Sequence, residues 1–563
     1  MKKIKYVRKK SETATIQERE AILFKNFNGA RKNSRSYKIK DLDKAAELIK
    51  KHLHNKIRIV GDYDVDGMTS DTEMLLLLKH FNATDVQFTN PYRFTEGYGL
   101  SIAIIDRFLP EIRPGEGLLI TVDNGITAHD AMEEAKRRGW DILIIDHHLP
   151  MRNTNNVILY PVADVIIDPH AVPGQANFDD YCGAGLCYKL AQEMITDDND
   201  PTMMKITSLA AIGTIADAVE FIRKVGGAYA YDNFLIVKNG LQTLKQNAGR
   251  TTGLYCLLRA NNHDYDITPD NIGYIEGPQL NSPSRLYDAG SISAVDLLVL
   301  DDNNFSKADV LAQELLECNK IRKEITEEIL PKLIRRIEES GIENDYPMVV
   351  KGNDGEIHHG IIGILAGRLA EMYQTDAIVC TPVEGTDIYK GSARALEGSD
   401  IKSILDGASD LLEGYGGHKL AAGLSVSISK FEEFRKRIQT IAGKKPEEFF
   451  YRYYDYDLDV EKINETIEVL KKSGPFGKGH EMPLFRVPFE IASYKIMGKD
   501  SKTIKFVASG NSKVEALGFR GEAIRMYEEL GKPSKMYVYG TLAENEFMGN
   551  ITPQIIIQHL DVE

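Results

Sequence analysis

The chain has 563 residues, a formal net charge of −14, 43% hydrophobic and 27% charged residues. It is too long for one hydrophobic core, so two to four domains are expected, and its acidic balance argues against a general nucleic-acid binder with a basic footprint. No apolar run approaches the ~18 residues of a membrane-spanning helix, and the scattered Cys182, Cys187, Cys256, Cys318 and Cys380 form no zinc spacing, which fits a reduced cytoplasm.

Residues 1–44 form a basic segment, with Lys2, Lys3, Lys5, Arg8, Lys9 and Lys10, then Arg31, Lys32, Arg35, Lys38 and Lys40. No apolar stretch follows the first lysines, so no secretory signal is expected. The segment reads equally as a solvated tail or as an arm that contacts phosphates. Residues 45–303 alternate apolar β-like runs with helical patterns, the rhythm of a parallel sheet with helices on both faces. Ile57–Val60 leads into Asp62-Tyr63-Asp64-Val65-Asp66-Gly67, Leu118–Val122 into Asp123-Asn124-Gly125, and Ile142–Ile145 into Asp146-His147-His148. Helices are predicted over 68–81, 128–138 and 202–219, the last carrying Asp217 near its end. Ligands of open α/β sheets bind beyond the carboxyl ends of the strands, so the three clusters are expected on one sheet edge. Carboxylates with imidazoles and no cysteine suit Mg²⁺ or Mn²⁺.

Residues 304–344 read as a linker helix with Ala308, Leu311, Leu315 and Ile321 on its apolar stripe and a kink at Pro331. A second α/β domain is expected over 345–446, with strands at 348–350 and 377–380, helices at 361–373 and 431–442, and the glycine-rich stretch Gly414-Tyr415-Gly416-Gly417-His418. Residues 447–563 are short alternating runs separated by turns, as in a small antiparallel OB-like barrel. The expected fold class is therefore α/β, two α/β domains joined by a long helix, followed by a β-barrel.

The acidic loop has a rival reading. Asp62-x-Asp64-x-Asp66-Gly67 with Glu73 at the twelfth position matches the EF-hand calcium loop. An EF-hand needs an incoming helix and a paired second hand; a strand precedes this loop and no second copy follows.

The clusters in order, with Gly213-Thr214-Ile215-Ala216-Asp217, make the chain resemble the DHH phosphoesterase superfamily. The likeness extends through Pro91-Tyr92-Arg93 and Glu96-Gly97-Tyr98-Gly99-Leu100, Gly277-Pro278 with Asn281 and Arg285, and His358 with Gly360-Ile361-Ile362-Gly363-Ile364. It continues in Lys390-Gly391-Ser392-Ala393-Arg394, Gly416-Gly417-His418 and Pro475-Phe476-Gly477-Lys478-Gly479, covering roughly residues 45–563. The departures are Asn281-Ser282-Pro283-Ser284-Arg285 for the usual Asn-Ala-Ala-Gly-Arg, Ile357 where a tryptophan is common, and His480 where an asparagine is common.

The resemblance implies a DHH catalytic domain, a DHH-associated substrate-binding domain and an OB-fold domain. It implies a two-metal centre, Mn²⁺ or Mg²⁺, in which Asp123 bridges, Asp62 and Asp64 complete one metal, and Asp66, His147 and Asp217 the other. Alternating Asp62, Asp64 and Asp66 suit this if the loop is extended, because residues i, i+2 and i+4 then point to one side. Asp146 would orient His147 through its other ring nitrogen, and His148 would contact the scissile phosphate. Arg285, Ser392, Arg394, Gly416, Gly417 and His418 are the candidates for substrate phosphates, with Ser392 and Arg394 at the 5′ terminus. Tyr92, Phe94 and Tyr98 are candidates for base stacking, and Lys499, Lys502 and Lys505 for tracking phosphates or solvating a strand face.

The implied activity is a 5′→3′ single-stranded DNA exonuclease releasing 5′-mononucleotides in recombination and repair. Its implied setting is a cytoplasmic monomer, off the membrane, with a single-stranded DNA-binding protein and a RecQ-type helicase as partners. Two readings compete: a DHH hydrolase of short oligonucleotides or cyclic dinucleotides, for which the linker helix and barrel are superfluous, and an inactive scaffold, which would have shed metal ligands that are all present.

Overall fold

A computed structural model describes residues 5–9, 15–20, 33–225, 228–264, 266–301, 303–498, 501–510, 513–519, 521–547 and 550–562. Lys2, Lys3, Lys10, Arg31, Lys32 and Lys499 lie outside the described residues. The chain forms two units, Asn33–Phe449 and a discontinuous one of Met1–Lys32 with Phe450–Glu563, so the basic segment is shared between them. The first strand, β1 (Lys5–Arg8), belongs to the discontinuous unit.

In the larger unit, β2 (Lys56–Gly61), β3 (Asp85–Thr89), β4 (Gly117–Val122), β5 (Asp141–Ile145) and β6 (Val165–Ile167) form a parallel sheet in the order β3-β2-β4-β5-β6. Its central strands are apolar on both faces because helices cover both; Ile57, Ile59, Leu118, Ile120, Ile142 and Ile144 are fully buried. The chain leaves β2 to one side for β3 and returns to its other side for β4. The β2/β4 boundary is therefore a topological switch point, where the loops after the strands part and leave a crevice. The acidic clusters follow β2, β4 and β5, three adjacent strands. Helices Val65–His80, Gly183–Met194 and Pro201–Ala216 pack behind this edge, and a short hairpin of β7 (Arg223–Val225) and β8 (Ala228–Ala230) follows.

The linker helix runs Phe305–Ser340 and is continuous through Pro331. Its buried stripe is Ala308, Ala312, Leu315, Asn319, Arg322, Thr326, Ile329, Leu333 and Ile337. Leu311 and Ile321, expected on the apolar stripe, are only partly buried beside it.

The second sheet contains β9 (Met348–Lys351), β10 (Ala377–Pro382), β11 (Ile388–Arg394), β12 (Leu412–His418) and β13 (Ala421–Ser427), in the order β12-β13-β11-β10-β9. Only β9 and β10 are parallel. One face packs on the linker helix and helix Ile362–Tyr373, the other on helices Ile401–Asp406 and Phe431–Ala442. A Cβ on Gly360 would stand 1.8 Å from the Arg285 carbonyl oxygen. The absence of a side chain there lets the turn His359–Ile361 seat directly on helix Gly277–Leu286.

In the smaller unit β1 pairs in parallel with β14 (Tyr451–Tyr454), and β15 (Tyr456–Asp457) pairs in parallel with β16 (Phe485–Met497). The strands β16, β17 (Thr503–Ala508), β18 (Glu515–Gly518), β20 (Asn550–Asp561) and β19 (Lys535–Phe547) follow in that order, and β19 pairs back onto β16 to close a barrel. Phe485, Val487, Ile504, Phe506, Val514 and Ile555 fill it. The barrel is not wholly antiparallel as expected: β18 and β20 run parallel, because helix Glu522–Glu529 and β19 intervene between them. Lys505, opposite Leu517 in register, reaches diagonally to Glu515 on the neighbouring strand in an ion pair of 2.7 Å. Among the described residues no helix is long and apolar enough to cross a membrane.

Candidate active site

Two groups of potential ligands meet at the switch point. Asp62, Asp64 and Asp123 form one, and Asp66, His147 and Asp217 the other, with the ligand atoms of each within 4.8 Å of one another. His147 Nε2 joins them, 3.1 Å from Asp123 Oδ1 and 3.8 Å from Asp66 Oδ2 and Asp217 Oδ2. His148 completes a third group with Asp123 and His147. All six residues expected as metal ligands are thus brought together.

Local structure explains each placement. Asp64 caps the helix Val65–His80, accepting from the backbone N–H of Asp66 at 3.0 Å and Gly67 at 3.2 Å. Only Asp62 and Asp64 belong to the non-helical loop. Asp66 is already in the first helical turn, so the extended alternation does not place it; the turn of the helix does. Its Oδ2 and Oδ1 accept from the N–H groups of Gly183 (2.6 Å) and Ala184 (2.9 Å), the first residues of the next helix. Asp123 has left-handed backbone, φ 58°, at the end of β4. A Cβ on Gly183 would stand 2.7 Å from the Asp123 Cβ, so the bridge candidate sits where only glycine gives it room. Asp217 is the C-cap of helix Pro201–Ala216.

Asp146 does not orient the His147 ring as expected. Its Oδ1 accepts from His148 Nδ1 at 2.7 Å and from the backbone N–H of His147 at 2.7 Å, and its Oδ2 from Ile126 N–H at 2.9 Å. It therefore fixes the loop and holds His148. The two rings lie 4.5 Å apart, tilted by 54°, and only that of His148 is bonded to Asp146 among the described hydrogen bonds.

The electrostatics fit a cation. Burial, then the neighbouring Asp64, raises Asp62; burial, then Asp66, Asp64 and Asp62, raises Asp123; and burial, then Asp66, raises Asp64. Asp62 Oδ1 is buried without a hydrogen-bond partner, an unmet acceptor of the kind a metal ion satisfies. His147 is lowered to about 4 by burial and by the charge of His148, which leaves an unprotonated nitrogen available as a ligand. Burial alone would lower His148 as well, but Asp146 outweighs it and lifts the ring to about 9. The donor set, carboxylates with imidazole nitrogen, suits Mn²⁺ or Mg²⁺.

Of the residues expected to contact phosphate, Ser392 and Arg394 lie two apart on β11, and Arg394 Nη1 donates to Ser392 Oγ at 2.9 Å. Arg285 reaches the Gly360 carbonyl at 3.4 Å. The His418 ring stacks 6.3 Å from that of His148, across the interface between the two α/β domains. Gly416 and Gly417 lie on the edge strand β12, Gly417 with φ 137°. Among the stacking candidates, Tyr92 is covered by Arg107 at 4.2 Å, Phe94 packs edge-on against His358 at 5.2 Å, and Tyr98 donates to or accepts from His148 Nε2 at 2.8 Å.

Several contributors carried no assigned role. Asn90 Nδ2 donates to the Asp62 carbonyl at 2.9 Å and to Asp71 Oδ2 at 2.6 Å, bracing the first acidic loop. Arg93 lies over the Tyr63 ring at 4.7 Å and acts electrostatically on Arg285 and Arg394. Its place in the Pro-Tyr-Arg motif was the available signal. Arg35, in the basic segment that read equally as a solvated tail or a phosphate-contacting arm, is used internally, with Asp198 Oδ1 at 2.6 Å and the Ile195 carbonyl at 2.9 Å.

This switch-point centre, on a chain with a second glycine-rich sheet, defines a DHH-type phosphoesterase. Residues 56–214 match the DHH family N-terminal domain, 345–444 the DHHA1 domain and 454–559 the RecJ OB domain. The chain is 30% identical to the single-stranded-DNA-specific exonuclease RecJ of Haemophilus influenzae, covering 90% of this chain and 88% of the relative. It is likewise 30% identical to the Bacillus subtilis protein of the same name, covering 93% and 63%. The crystal structure of Thermus thermophilus RecJ in complex with Mn²⁺ superposes with a TM-score of 0.76 at 26% identity, over 93% of this chain and 72% of that one. The chain belongs to the RecJ family.

Proposed function

We propose that this protein is a two-metal-ion exonuclease that degrades single-stranded DNA 5′→3′ and releases 5′-mononucleotides in recombination and repair. The observation that carries the reading is the pair of ligand groups meeting at Asp123 and His147 in a chain whose relatives are named single-stranded-DNA-specific exonucleases.

On this reading Asp62 and Asp64 would hold one ion, Asp66, His147 and Asp217 the other, and Asp123 would serve both. Such ions, Mn²⁺ or Mg²⁺, supply an activated water, neutralise charge on the phosphoryl oxygens and assist the leaving oxygen. His148, kept charged and fixed at Nδ1 by Asp146, presents Nε2–H to the scissile phosphate in place of its Tyr98 contact. Ser392 and Arg394 hold the terminal 5′-phosphate, and Arg285, His418 and the Gly416 and Gly417 amides contact phosphates near it. A fixed anchor for the terminus would give the 5′→3′ polarity. The enzyme is a cytoplasmic monomer working with a single-stranded DNA-binding protein and a RecQ-type helicase; family membership supports these last points.

Product analysis tests the proposal, using a single strand, its duplex and a dinucleotide, each 5′-phosphorylated and labelled, with Mn²⁺ or Mg²⁺. Labelled mononucleotide from the single strand alone is expected. Asp123→Ala should lower the rate at least ~10³-fold while strand binding persists. Cleavage of the dinucleotide alone would move the protein to small substrates, and survival of activity in Asp123→Ala would refute the bridging role.

A further inference from the structure

The chain between β5 and β6 exposes apolar side chains to solvent. Leu149 is 63% exposed, Val157 57%, Met151 48% and Leu159 39%. They belong to a small hairpin. Arg152 and Ile158 face each other across it, the Leu159 N–H donates to the Met151 carbonyl at 2.9 Å, and the Asn153 N–H to the Val157 carbonyl at 3.0 Å. Neighbours along a strand point to opposite faces. Ile158 is partly buried, so Met151, Val157 and Leu159 share the opposite, outer face. The backbone is braced behind that face. Asn153 Oδ1 accepts from the N–H groups of Asn155 at 3.0 Å and Val157 at 2.9 Å, which closes the turn, and Pro150 and Pro161 are buried at its foot.

Both legs are rooted at the candidate active site. Leu149 follows His148 directly, and the Tyr160 hydroxyl donates to the Ala171 carbonyl at 2.8 Å, next to the His170 whose Nδ1 donates to the His147 carbonyl. A phosphate bound at His148 therefore brings the neighbouring part of its own molecule toward Leu149. What the face can hold follows from its chemistry. Residues 147–163 contain no acid in a chain of net charge −14, so a polyanion is not repelled here. Nor is phosphate the group that the hairpin recognises: its one guanidinium, Arg152, is turned to the Asn156 carbonyl at 3.0 Å. Apolar side chains beside a phosphate site suit the flat faces of nucleobases, which leucine and methionine cover or wedge apart with little regard to sequence.

Building on the nuclease reading, we propose that Leu149, Met151, Val157 and Leu159 form an apolar shelf for the bases of the substrate strand next to the scissile phosphate. The shelf grips bases and not the backbone, so it makes a chain of nucleotides a better ligand than an isolated phosphoester. It engages only bases that have left the duplex stack, which adds to the selection of a single strand.

The test is binding of the full chain, in EDTA so that no strand is cut, to a 5′-phosphorylated fluorescent oligothymidylate and to the same strand with abasic residues near its 5′ end. Met151→Ser/Leu159→Ser and Val157→Ser remove apolar surface that the fold leaves in solvent, so their melting temperatures should match that of the native chain. Each is expected to weaken binding of the intact strand ~5-fold or more and to leave the affinity for the abasic strand, already lower in the native chain, unchanged. Asn155→Ser, at the turn and off the face, should change neither. Equal loss on both strands would assign the effect to the backbone and overturn the shelf, as would undiminished binding of the intact strand. Gel filtration of the same proteins covers a protein occupant: self-association of the native chain that the variants abolish would make the face a contact between copies and overturn the proposal. Cleavage assayed in Mn²⁺ separates the two readings. A native chain that cuts the strand, with variants that bind it undiminished, loses only the shelf; a native chain that neither binds nor cuts it loses both.

Discussion

Asp146 has both oxygens engaged before any substrate arrives: one fixes His148 and the start of its loop, the other Ile126. Asp146→Asn should therefore lower kcat about 10–100-fold while leaving metal affinity nearly unchanged, because the His147 ring does not touch it. Metal titration beside kinetics separates the two; an equal fall in metal affinity would mean that Asp146 acts through His147 after all. Gly183→Ala drives a methyl group against Asp123 and should cost about 1–3 kcal/mol of stability together with most of the activity, measured by thermal unfolding and turnover. An unchanged turnover would show that Asp123 has room to move. The sequence alone put Asp62, Asp64, Asp66, Asp123 and His147 on one sheet edge, because strand ends are legible from apolar runs; Asp217 was placed near a helix end, and only the fold brings it to that edge. It could not say which of two adjacent histidines faces Asp146, since that depends on how the chain turns after β5. Nor did residue spacing reveal that Asp66 is aimed by a helical turn and held by two backbone amides.

At the scale of elements, the ambiguous acidic loop is resolved by what flanks it. The residues before Asp62 are the buried strand β2, and Glu73, the twelfth position of the calcium-loop pattern, is buried within the helix that follows, not facing Asp62 across a loop. The linker helix was legible from its period, but its centre was not. Asn319, Arg322 and Thr326 look like outward residues in a sequence, and only their packing against Ser282 and a cavity turns them inward. Pro331 sits within the helix without interrupting it. Because proline lacks the N–H that would bond the preceding turn, Pro331→Ala should stabilise the larger unit by roughly 1–3 kcal/mol, read as a higher melting temperature. A lower one would mean that the ring packs in a way alanine cannot replace.

At the scale of the molecule, the two units have separate cores, and the smaller one carries its own pH dependence. His480 is buried, stacked 4.9 Å from Phe476, and bonded through Nε2 to the Ser473 carbonyl at 2.9 Å. Burial, with Arg19 nearby and only partly offset by the Ser473 carbonyl and Glu481, lowers it to about 4. The unfolded chain titrates near 6.5, so above that pH both states are neutral. As pH falls from about 6.5 toward 4 the unfolded state takes the proton first, and roughly 3 kcal/mol of stability is lost across that window. His480→Asn, the residue common in the family, should flatten this slope in calorimetry; an equal slope in the variant would assign the loss to other groups. The barrel class was legible from alternation and turns. Its parallel pairings were not, because alternation fixes which face a residue takes and says nothing of which distant strand lies alongside.

The pairing of β1 with β14 also bears on how the protein is made. The whole of the larger unit lies between these partners in sequence, so β1 waits for that unit to be synthesised before it finds its neighbour. Until then its edge is bare and open to foreign strands. The larger unit can fold on schedule during synthesis, whereas completion of the smaller one is a late event, sensitive to changes at the amino terminus.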